Sequence, residues 1–291
     1  MSNLQTSYTK ILSLLHEIEP EDYFLNQIRL PRMTDKELIA LNLAAESLGI
    51  DSERYLFKRI PTALANKIER SVYNRRKRRL AHKMGQLQQK IAALIIPSES
   101  YHLIDSMPLE VCKLSRSRRT KICQEVPDST PDYGYCAAQK AHYFGYKMHA
   151  VCTLQGVVKA FDLTPASTHD IHYLNDVQHQ FEHCILVGDK GYLSHHYQHD
   201  LFETRHIELQ TPKRRNQKDF TAFSPLLRKA RKRIETLFSQ LCDQFMVRRN
   251  YAKSFHGYAS RILSKITALT LIQWLNKKEG RNINNLKGVI S

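Results

Sequence analysis

The chain has 291 residues, of which 42% are hydrophobic and 25% are charged. This length is comfortable for two domains, and the apolar content suffices for a packed core, which excludes an intrinsically disordered chain. The formal net charge is +16, and a positive charge of this size favours a phosphate-rich partner. Residues 1–55 carry nine acidic and five basic side chains, so the positive charge belongs to the rest of the chain.

The sequence indicates neither a membrane anchor nor a metal-binding cysteine framework. Lys10, His16 and Glu17 interrupt any apolar segment near the N-terminus, so no signal peptide is expected. The longest apolar stretches, 91–96 and 266–275, are far shorter than the ~20 residues of a membrane-spanning helix. The six cysteines form no Cys-x-x-Cys pair, which favours free thiols in a reducing compartment. We therefore expect a cytoplasmic protein with no membrane partner.

Residues 1–97 are predicted to form an all-helical domain. A capping box begins one helix, with Thr34 as N-cap and Glu37 at the third helical position. Apolar residues then recur at helical spacing until Gly49, and Ser52 can cap a second short helix. Two short helices around a tight turn suit a DNA-contacting helix-turn-helix, and many small helical bundles share the pattern. Both interpretations stay open.

A basic run follows inside a helical pattern predicted over residues 66–94. No acidic residue occurs between Arg70 and Glu99, and like charges at this density repel one another unless a polyanion is bound. A solvated cationic face is the alternative. We favour contact with DNA phosphates through the basic side chains of Arg75, Arg76, Lys77, Arg78 and Arg79.

From residue 101 the hydrophobic periodicity changes from helical to strand-like. Three strands are predicted first, the second and third joined by a turn at Gln155-Gly156, over 101–105, 147–154 and 157–163. The remaining elements are predicted as a helix, a buried strand, a helix, a short strand and two helices, over 170–181, 184–188, 191–205, 207–210, 224–243 and 259–277.

This order of elements is typical of a ribonuclease H-like fold, an α/β arrangement in which helices flank a mixed sheet. We therefore predict a catalytic domain over 101–280 after the N-terminal helical DNA-binding domain, and a tail over 281–291. The predicted strands leave a basic, tyrosine-rich insertion over 106–146. A second basic insertion, over 211–224, is expected to contact DNA through Lys213, Arg214 and Arg215.

Three acidic residues occupy positions that suit a metal-dependent site. Asp105 closes the first predicted strand and Asp189 follows the buried strand, so the two carboxylates are expected to meet on adjacent strands. Glu235 lies in the next helix, one turn after Arg231. Any one of these acids alone is weak support, and a surface Arg–Glu pair is the alternative for Glu235. Together, the three carboxylates suit two divalent cations.

Five short motifs, with the basic run over 74–79, carry a resemblance to a known family. They are, in chain order, Ile104-Asp105-Ser106, Gly145-Tyr146-Lys147-Met148-His149, Thr168-His169-Asp170, Gly188-Asp189-Lys190-Gly191-Tyr192 and Arg231-Lys232-Arg233-Ile234-Glu235. In this order the motifs resemble those of DDE-type insertion-sequence transposases. They are most similar to a bacterial group called nine-eight-two, within the ribonuclease H-like superfamily. The resemblance extends over essentially the whole chain.

The resemblance implies that Asp105, Asp189 and Glu235 form a catalytic triad that binds two Mg²⁺ (or Mn²⁺) ions, about 4 Å apart. The implied reactions are cleavage at the ends of the element and transfer of the 3′ end to target DNA. Related transposases often carry a tyrosine, an arginine and a lysine around the glutamate. Arg231 matches that arginine, whereas Arg228 and Cys242 stand at the tyrosine and lysine positions.

The implied partners are double-stranded DNA, as terminal inverted repeats and as target, and a second copy of the chain, since two ends are processed together. The implied location is the nucleoid of the bacterial cytoplasm. Lys190 and Arg231 are expected to contact phosphate. His149, His169 and Asp170 are candidates for supporting the metal ligands, with ordinary polar packing as the alternative. A plain metal-dependent nuclease of the same fold and a DNA-binding regulator derived from a transposase are the alternative functions.

Overall fold

The computed structural model describes residues 3–213 and 221–286. The chain divides into two compact units. The helical unit comprises Met1–Ile95, Leu241–Ala252 and His256–Ser291, and the sheet unit comprises Ile96–Gln240 and Lys253–Phe255. No helix in the described ranges combines the length and the apolar content needed to cross a membrane.

The described residues form the following elements. The helices are α1 (Asn3–Ile18), α2 (Asp35–Ser47), α3 (Glu53–Arg59), α4 (Thr62–Ala65), α5 (Arg70–Arg79), α6 (Ala81–Ile95), α7 (Leu174–Val177), α8 (His195–Arg205), α9 (Pro225–Asp243) and α10 (Phe255–Lys278). The strands are β1 (Tyr101–Cys112), β2 (Asp132–Cys136), β3 (Ala141–Thr153), β4 (Val158–Pro165), β5 (Cys184–Val187) and β6 (Ile207–Gln210). Short 3₁₀ turns cover Leu114–Arg119, Pro127–Ser129, Asp170–Tyr173 and Lys190–Tyr192.

The predicted helix starts in the helical unit are confirmed. The Thr34 side chain accepts a hydrogen bond from the Glu37 N–H at 3.0 Å, and Glu37 accepts one from the Thr34 N–H at 2.8 Å. Ser52 caps α3 by accepting from the Tyr55 N–H. The single helix predicted over 66–94 is wrong, because the backbone leaves helical geometry at Leu80 and separates α5 from α6.

The last helix, α10, packs inside the helical unit. Its Ser264 accepts a hydrogen bond from Asn42 of α2 at 2.8 Å, and its buried Lys265 pairs with Glu46 of α2 at 2.6 Å. Both contacts are buried and connect α10 directly to α2. The contacts therefore group α10 with the N-terminal helices. The division of the chain into a DNA-binding domain over 1–97 and a catalytic domain over 101–280 stays a prediction.

The sheet unit is built on one mixed sheet in which β1 is central. Strand β1 pairs antiparallel with β3 and parallel with β5, and β5 pairs parallel with β6. The other edge of β3 is shared, with β2 along Ala141–Gly145 and β4 along Tyr146–Cys152. Buried side chains of α7 and α8 pack with those of the central strands in one core. A mixed sheet flanked by helices fits the predicted ribonuclease H-like fold.

The insertion predicted over 106–146 is narrower than expected. Strand β1 does not end at Asp105 but continues to Cys112. Within this continuation, the side chains of Met107 and Leu109 are buried. Strand β3 begins at Ala141, and the register joins Glu110 to Gly145. The sequence pattern predicted β1 and β3 too short. Their outer halves are stabilised by pairing with each other and with β2, which the local pattern does not show.

Two helices predicted in the sheet unit are also shorter than expected. The segment over 170–181 forms a 3₁₀ turn and the single turn of α7. The segment over 191–205 begins with the turn Lys190–Tyr192, and α8 starts at His195, capped by Ser194. These turns follow the ends of β4 and β5, so they bring polar residues to one edge of the sheet.

Candidate active site

The strand register brings Asp105 of β1 level with Asp189, which follows the neighbouring strand β5. Leu103 of β1 pairs with Val187 of β5 in a parallel ladder. Asp105 lies two residues beyond Leu103, and Asp189 lies two residues beyond Val187. Because parallel strands advance together, Asp105 within β1 and Asp189 just after β5 lie at corresponding positions. This is the arrangement that the sequence predicted for these two residues.

Local backbone donors orient both aspartates. The Asp105 Oδ1 atom accepts a hydrogen bond from the N–H of Ser106 at 2.8 Å. The Asp189 Oδ1 atom accepts one from the N–H of Gly191 at 2.7 Å, which caps the turn after β5. The Oδ2 atom of Asp105 lies 3.6 Å from Nη2 of Arg231 on α9, and each side chain is less than one-fifth exposed. One oxygen of each carboxylate is thus fixed by the main chain.

The carboxylates of Asp105 and Asp189 concentrate negative charge at a partly buried position. Burial raises the pKa of Asp105 from its ordinary value of 3.8 to about 7. The Ser106 N–H and the Arg231 charge oppose this rise, whereas the charges of Asp189 and Asp170 add to it. A positive ligand between the carboxylates would relieve this repulsion.

Asp170 is a third carboxylate close to the pair. Its Oδ1 atom lies 2.9 Å from Nζ of Lys147, a residue of β3. Its Oδ2 atom faces Gly191, where a hypothetical Cβ would be 3.4 Å away. Asp189 Oδ1 would be 2.9 Å from that same Cβ position, so two carboxylates face one point.

The two histidines that the sequence singled out have structural contacts. The fully buried His149 shares a hydrogen bond of 2.9 Å with Thr164 and stacks on Tyr173. Burial lowers the pKa of His149 to about 4, against the opposing charge of Asp170. His169 caps the turn after β4, where its ring accepts from the Ile171 N–H at 3.3 Å. Both rings therefore position the segment that carries Asp170.

Glu235 is exposed to solvent in this structure, whereas Asp105 and Asp189 are half-buried. It lies on α9, one helical turn after Arg231. Within residues 3–213 and 221–286, no three His, Cys, Asp or Glu side chains are grouped closely enough to hold a metal ion. The structure brings Asp105 and Asp189 together, and it leaves the role of Glu235 a prediction.

Asp105 and Asp189 nevertheless fit a divalent cation. Both are hard oxygen donors, the class that Mg²⁺ and Mn²⁺ prefer. Each keeps one oxygen on a backbone N–H, and burial, with the charge of Asp189 added, raises the pKa of Asp105, so a nearby cation would favour its ionised form. The donor set and its charge therefore suit the predicted ions.

A basic pocket of about 410 Å³ lies beside the aspartates in the sheet unit. Its lining combines four cationic side chains with small and apolar groups, from Lys190, Lys213, Arg228, Arg231, Pro212, Thr221, Ala222 and Phe223. The Nε atom of Arg231 is buried and has no hydrogen-bond partner among the described residues. Such a lining suits an anion. Arg214 and Arg215, which the sequence also predicted as DNA contacts, lie outside the described residues.

The basic run of α5 separates into two faces. Arg76 is buried and pairs with the buried Asp35 at 2.6 Å, and Lys77 is buried against Glu53. The sequence predicted these two cations as phosphate contacts, but their burial in ion pairs gives them a structural role. The exposed members of the run are Arg75, Arg78 and Arg79.

Two residues close to the carboxylates were not among the predicted site residues. Lys147 holds Asp170, and the hydroxyl of Tyr192 is buried without a hydrogen-bond partner in the described ranges. Both belong to motifs that the sequence showed, 145–149 and 188–192. Motif membership could have drawn attention to them, but only the fold shows which of their neighbours they face.

Comparison with known families agrees with this arrangement. A family model described as a transposase DDE domain matches residues 98–271, more than half of the chain. Comparisons with curated proteins and with solved structures gave no match. The family match confirms the predicted DDE transposase resemblance and supports transposase-type DNA cleavage and transposition as the general activity. The chain belongs to the transposase DDE domain family.

Proposed function

We propose that this chain is an insertion-sequence transposase of the nine-eight-two group, from a bacterium. It cleaves DNA at the ends of its element and joins the freed 3′ end to target DNA. The observation that carries the proposal is the pairing of Asp105 and Asp189 on adjacent parallel strands, with Arg231 beside them. Two carboxylates next to an arginine suit a phosphodiester, because a cation and a guanidinium can share its negative charge.

Asp105, Asp189 and Glu235 are the proposed ligands of two Mg²⁺ (or Mn²⁺) ions. When bound, the ions would supply Lewis-acid stabilisation of the charge on the scissile phosphate. Glu235 is included because residues four apart share one helix face, and Arg231 of that face already reaches Asp105. Arg231 would hold a phosphate oxygen through the part of its guanidinium that lines the basic pocket.

DNA is proposed to bind two basic surfaces. Near the site, Lys190, Lys213 and Arg231 line the basic pocket, and Arg214 and Arg215 follow Lys213 in sequence. On the N-terminal helices, the exposed arginines of α5 would contact the terminal inverted repeats. The protein would act as a homodimer that pairs two ends, at the nucleoid of the cytoplasm.

The decisive experiment is a cleavage and joining assay. Purified protein, Mg²⁺ and DNA that carries the inverted repeats flanking the coding region are expected to give nicked ends and then joined products. Nicking without joining would identify a plain nuclease. Binding without nicking would identify a regulator. As the control, Asp189→Ala should abolish nicking and leave DNA affinity unchanged.

A further inference from the structure

Two carboxylates approach each other closely at Gly191. A Cβ atom placed on Gly191 would be 2.9 Å from Asp189 Oδ1 and 3.4 Å from Asp170 Oδ2. Since position 191 has no side chain, the two oxygens approach the same point without an intervening group. Asp170 reaches this point from the turn after β4, and Asp189 from the turn after β5.

Lys147 fixes the direction of Asp170. Its Nζ atom donates to Asp170 Oδ1 at 2.9 Å and to the carbonyl oxygen of Thr168 at 2.8 Å. The ammonium group of Lys147 thereby holds both the side chain of Asp170 and the backbone just before it. Both side chains are less than one-quarter exposed, so solvent screens the pair only in part. The arrangement leaves the second oxygen of Asp170 facing Gly191.

A buried hydroxyl without a partner lies in the turn that follows Asp189. The Tyr192 side chain is fully buried, and its hydroxyl has no hydrogen-bond partner among the described residues. Burial raises the pKa of Tyr192, and the charges of Asp170, Asp105 and Asp189 raise it further. A buried hydroxyl without a partner is costly. A hydrated cation between the carboxylates would bring water within its reach.

We propose that Lys147 and Asp170 form a positioning pair for the cation site of Asp105 and Asp189. Lys147 holds Asp170 so that its free oxygen accepts a hydrogen bond from water on the cation at Asp189, and the Tyr192 hydroxyl contacts the same water. Mg²⁺ keeps several of its waters in proteins, and groups that hold such waters orient the ligands. The inference rests on the proposed metal-dependent function.

The first test is Mn²⁺ binding to the full chain without DNA, followed by electron paramagnetic resonance of free Mn²⁺. Asp170→Asn removes the acceptor charge and is expected to weaken Mn²⁺ binding about tenfold. Asp176→Asn is the matched control, because Asp176 is an exposed aspartate in the same segment. This control is expected to bind Mn²⁺ as the unmodified chain does.

Tyr192→Phe keeps the aromatic packing and removes only the hydroxyl. Without cations it is expected to melt at a higher temperature, since it lacks the unsatisfied group. With cations, it is expected to bind Mn²⁺ several-fold more weakly. This variant keeps the test informative if Asp170→Asn fails to fold.

The role of Lys147 is tested by replacing it alone and in combination with Asp170→Asn. Lys147→Met is expected to slow DNA cleavage about tenfold, and Lys147→Arg to restore most of the rate. In the Asp170→Asn background the Lys147→Met change should have little further effect, because the two residues act as one unit. Additive losses would overturn the positioning role.

The outcomes separate this inference from the proposed function. If Asp170→Asn and Tyr192→Phe both bind Mn²⁺ as tightly as the unmodified chain, the positioning pair is overturned and the metal-dependent function stands. If the unmodified chain cleaves DNA equally well without divalent cations, or if Asp189→Ala cleaves it equally well, the proposed function itself fails.

Discussion

The guanidinium of Arg231 on helix α9 lies 3.6 Å from the carboxylate of Asp105, which lies within the central strand β1. The contact is longer than a direct hydrogen bond, and the Nε–H of Arg231 is buried without a partner in the described part of the chain. The arginine therefore neutralises Asp105 only in part, and its side chain also lines the basic pocket, where an anion could bind. A DNA phosphate beside the aspartates would complete its hydrogen bonds.

Replacing Arg231 tests this phosphate contact. Arg231→Gln is expected to lower the cleavage rate at least tenfold, because a charged donor next to the reacting phosphate is lost. It should also reduce the slope of log DNA affinity against log salt by about 1, as for one lost phosphate contact. Lys229→Gln removes one exposed positive charge from the same helix and is the control. Equal losses in the two variants would contradict a specific role for Arg231.

The raised pKa of Asp105 predicts how stability depends on pH. The folded carboxyl has a pKa of about 7 against an ordinary value of 3.8, so protonation favours the fold. That contribution is fully present below about 3.8 and is lost as the pH rises through 7. Without divalent cations, Asp105→Asn is expected to be more stable than the unmodified chain at pH 8, by on the order of a few kcal/mol.

Chemical denaturation at several pH values measures this difference. The stability gap between Asp105→Asn and the unmodified chain should close as the pH falls from 8 towards 4. Saturating Mg²⁺ should reverse the order at pH 8, because a bound cation stabilises only the chain that retains the carboxylate. A gap that widens on acidification would contradict the assignment of this pKa to Asp105.

The sequence predicted the parts of the site that depend on local pattern. Apolar runs that end in Asp105 and Asp189 are visible along the chain, and parallel pairing of their strands then brings the carboxylates together. The partnership of Lys147 with Asp170 was not predictable, because the two residues are joined only by the fold. The outer half of β1 was missed for the same reason, since its pairing with β3 is non-local.

The charge run of α5 shows a second limit of sequence patterns. Five consecutive basic residues look alike in sequence, yet a helix turns successive side chains by about 100°. Arg76 and Lys77 therefore face inward, and they meet Asp35 and Glu53 of other helices. The net charge predicted a polyanion as partner. It could not distinguish the exposed basic side chains from those already paired with acidic side chains within the fold.

Arg76 is expected to stabilise the helical unit. Its guanidinium and the Asp35 carboxylate are at most 5% exposed, and Asp35 also accepts from the N–H groups of Phe24 and Leu25. Arg76→Gln would leave a buried carboxylate without its cation, at a cost of about 3–5 kcal/mol. Thermal and denaturant unfolding measure the loss. An unchanged free energy of unfolding would show that the pair is dispensable.

The exposed arginines of α5 are expected to affect DNA binding and leave stability unchanged. A triple variant, Arg75→Gln, Arg78→Gln and Arg79→Gln, should bind inverted-repeat DNA more weakly and reduce the salt slope by about 3. Its unfolding midpoint should match that of the unmodified chain, because surface changes of this kind alter stability little. If DNA affinity is unchanged at every salt concentration, the DNA surface lies elsewhere.

Glu235 provides the sharpest test of the proposed triad, since the structure leaves it exposed on α9. Glu235→Gln keeps the size of the side chain and removes its charge, so it should unfold at the same denaturant concentration as the unmodified chain. DNA cleavage should nevertheless be abolished if its carboxylate completes the cation site when DNA is bound. Glu203→Gln, an exposed glutamate of α8, is the control and should retain full activity. If Glu235→Gln cleaves DNA normally while Asp189→Ala does not, Glu235 is not the third ligand, and Asp170 becomes the carboxylate to test in its place, because it already faces Asp189 across Gly191.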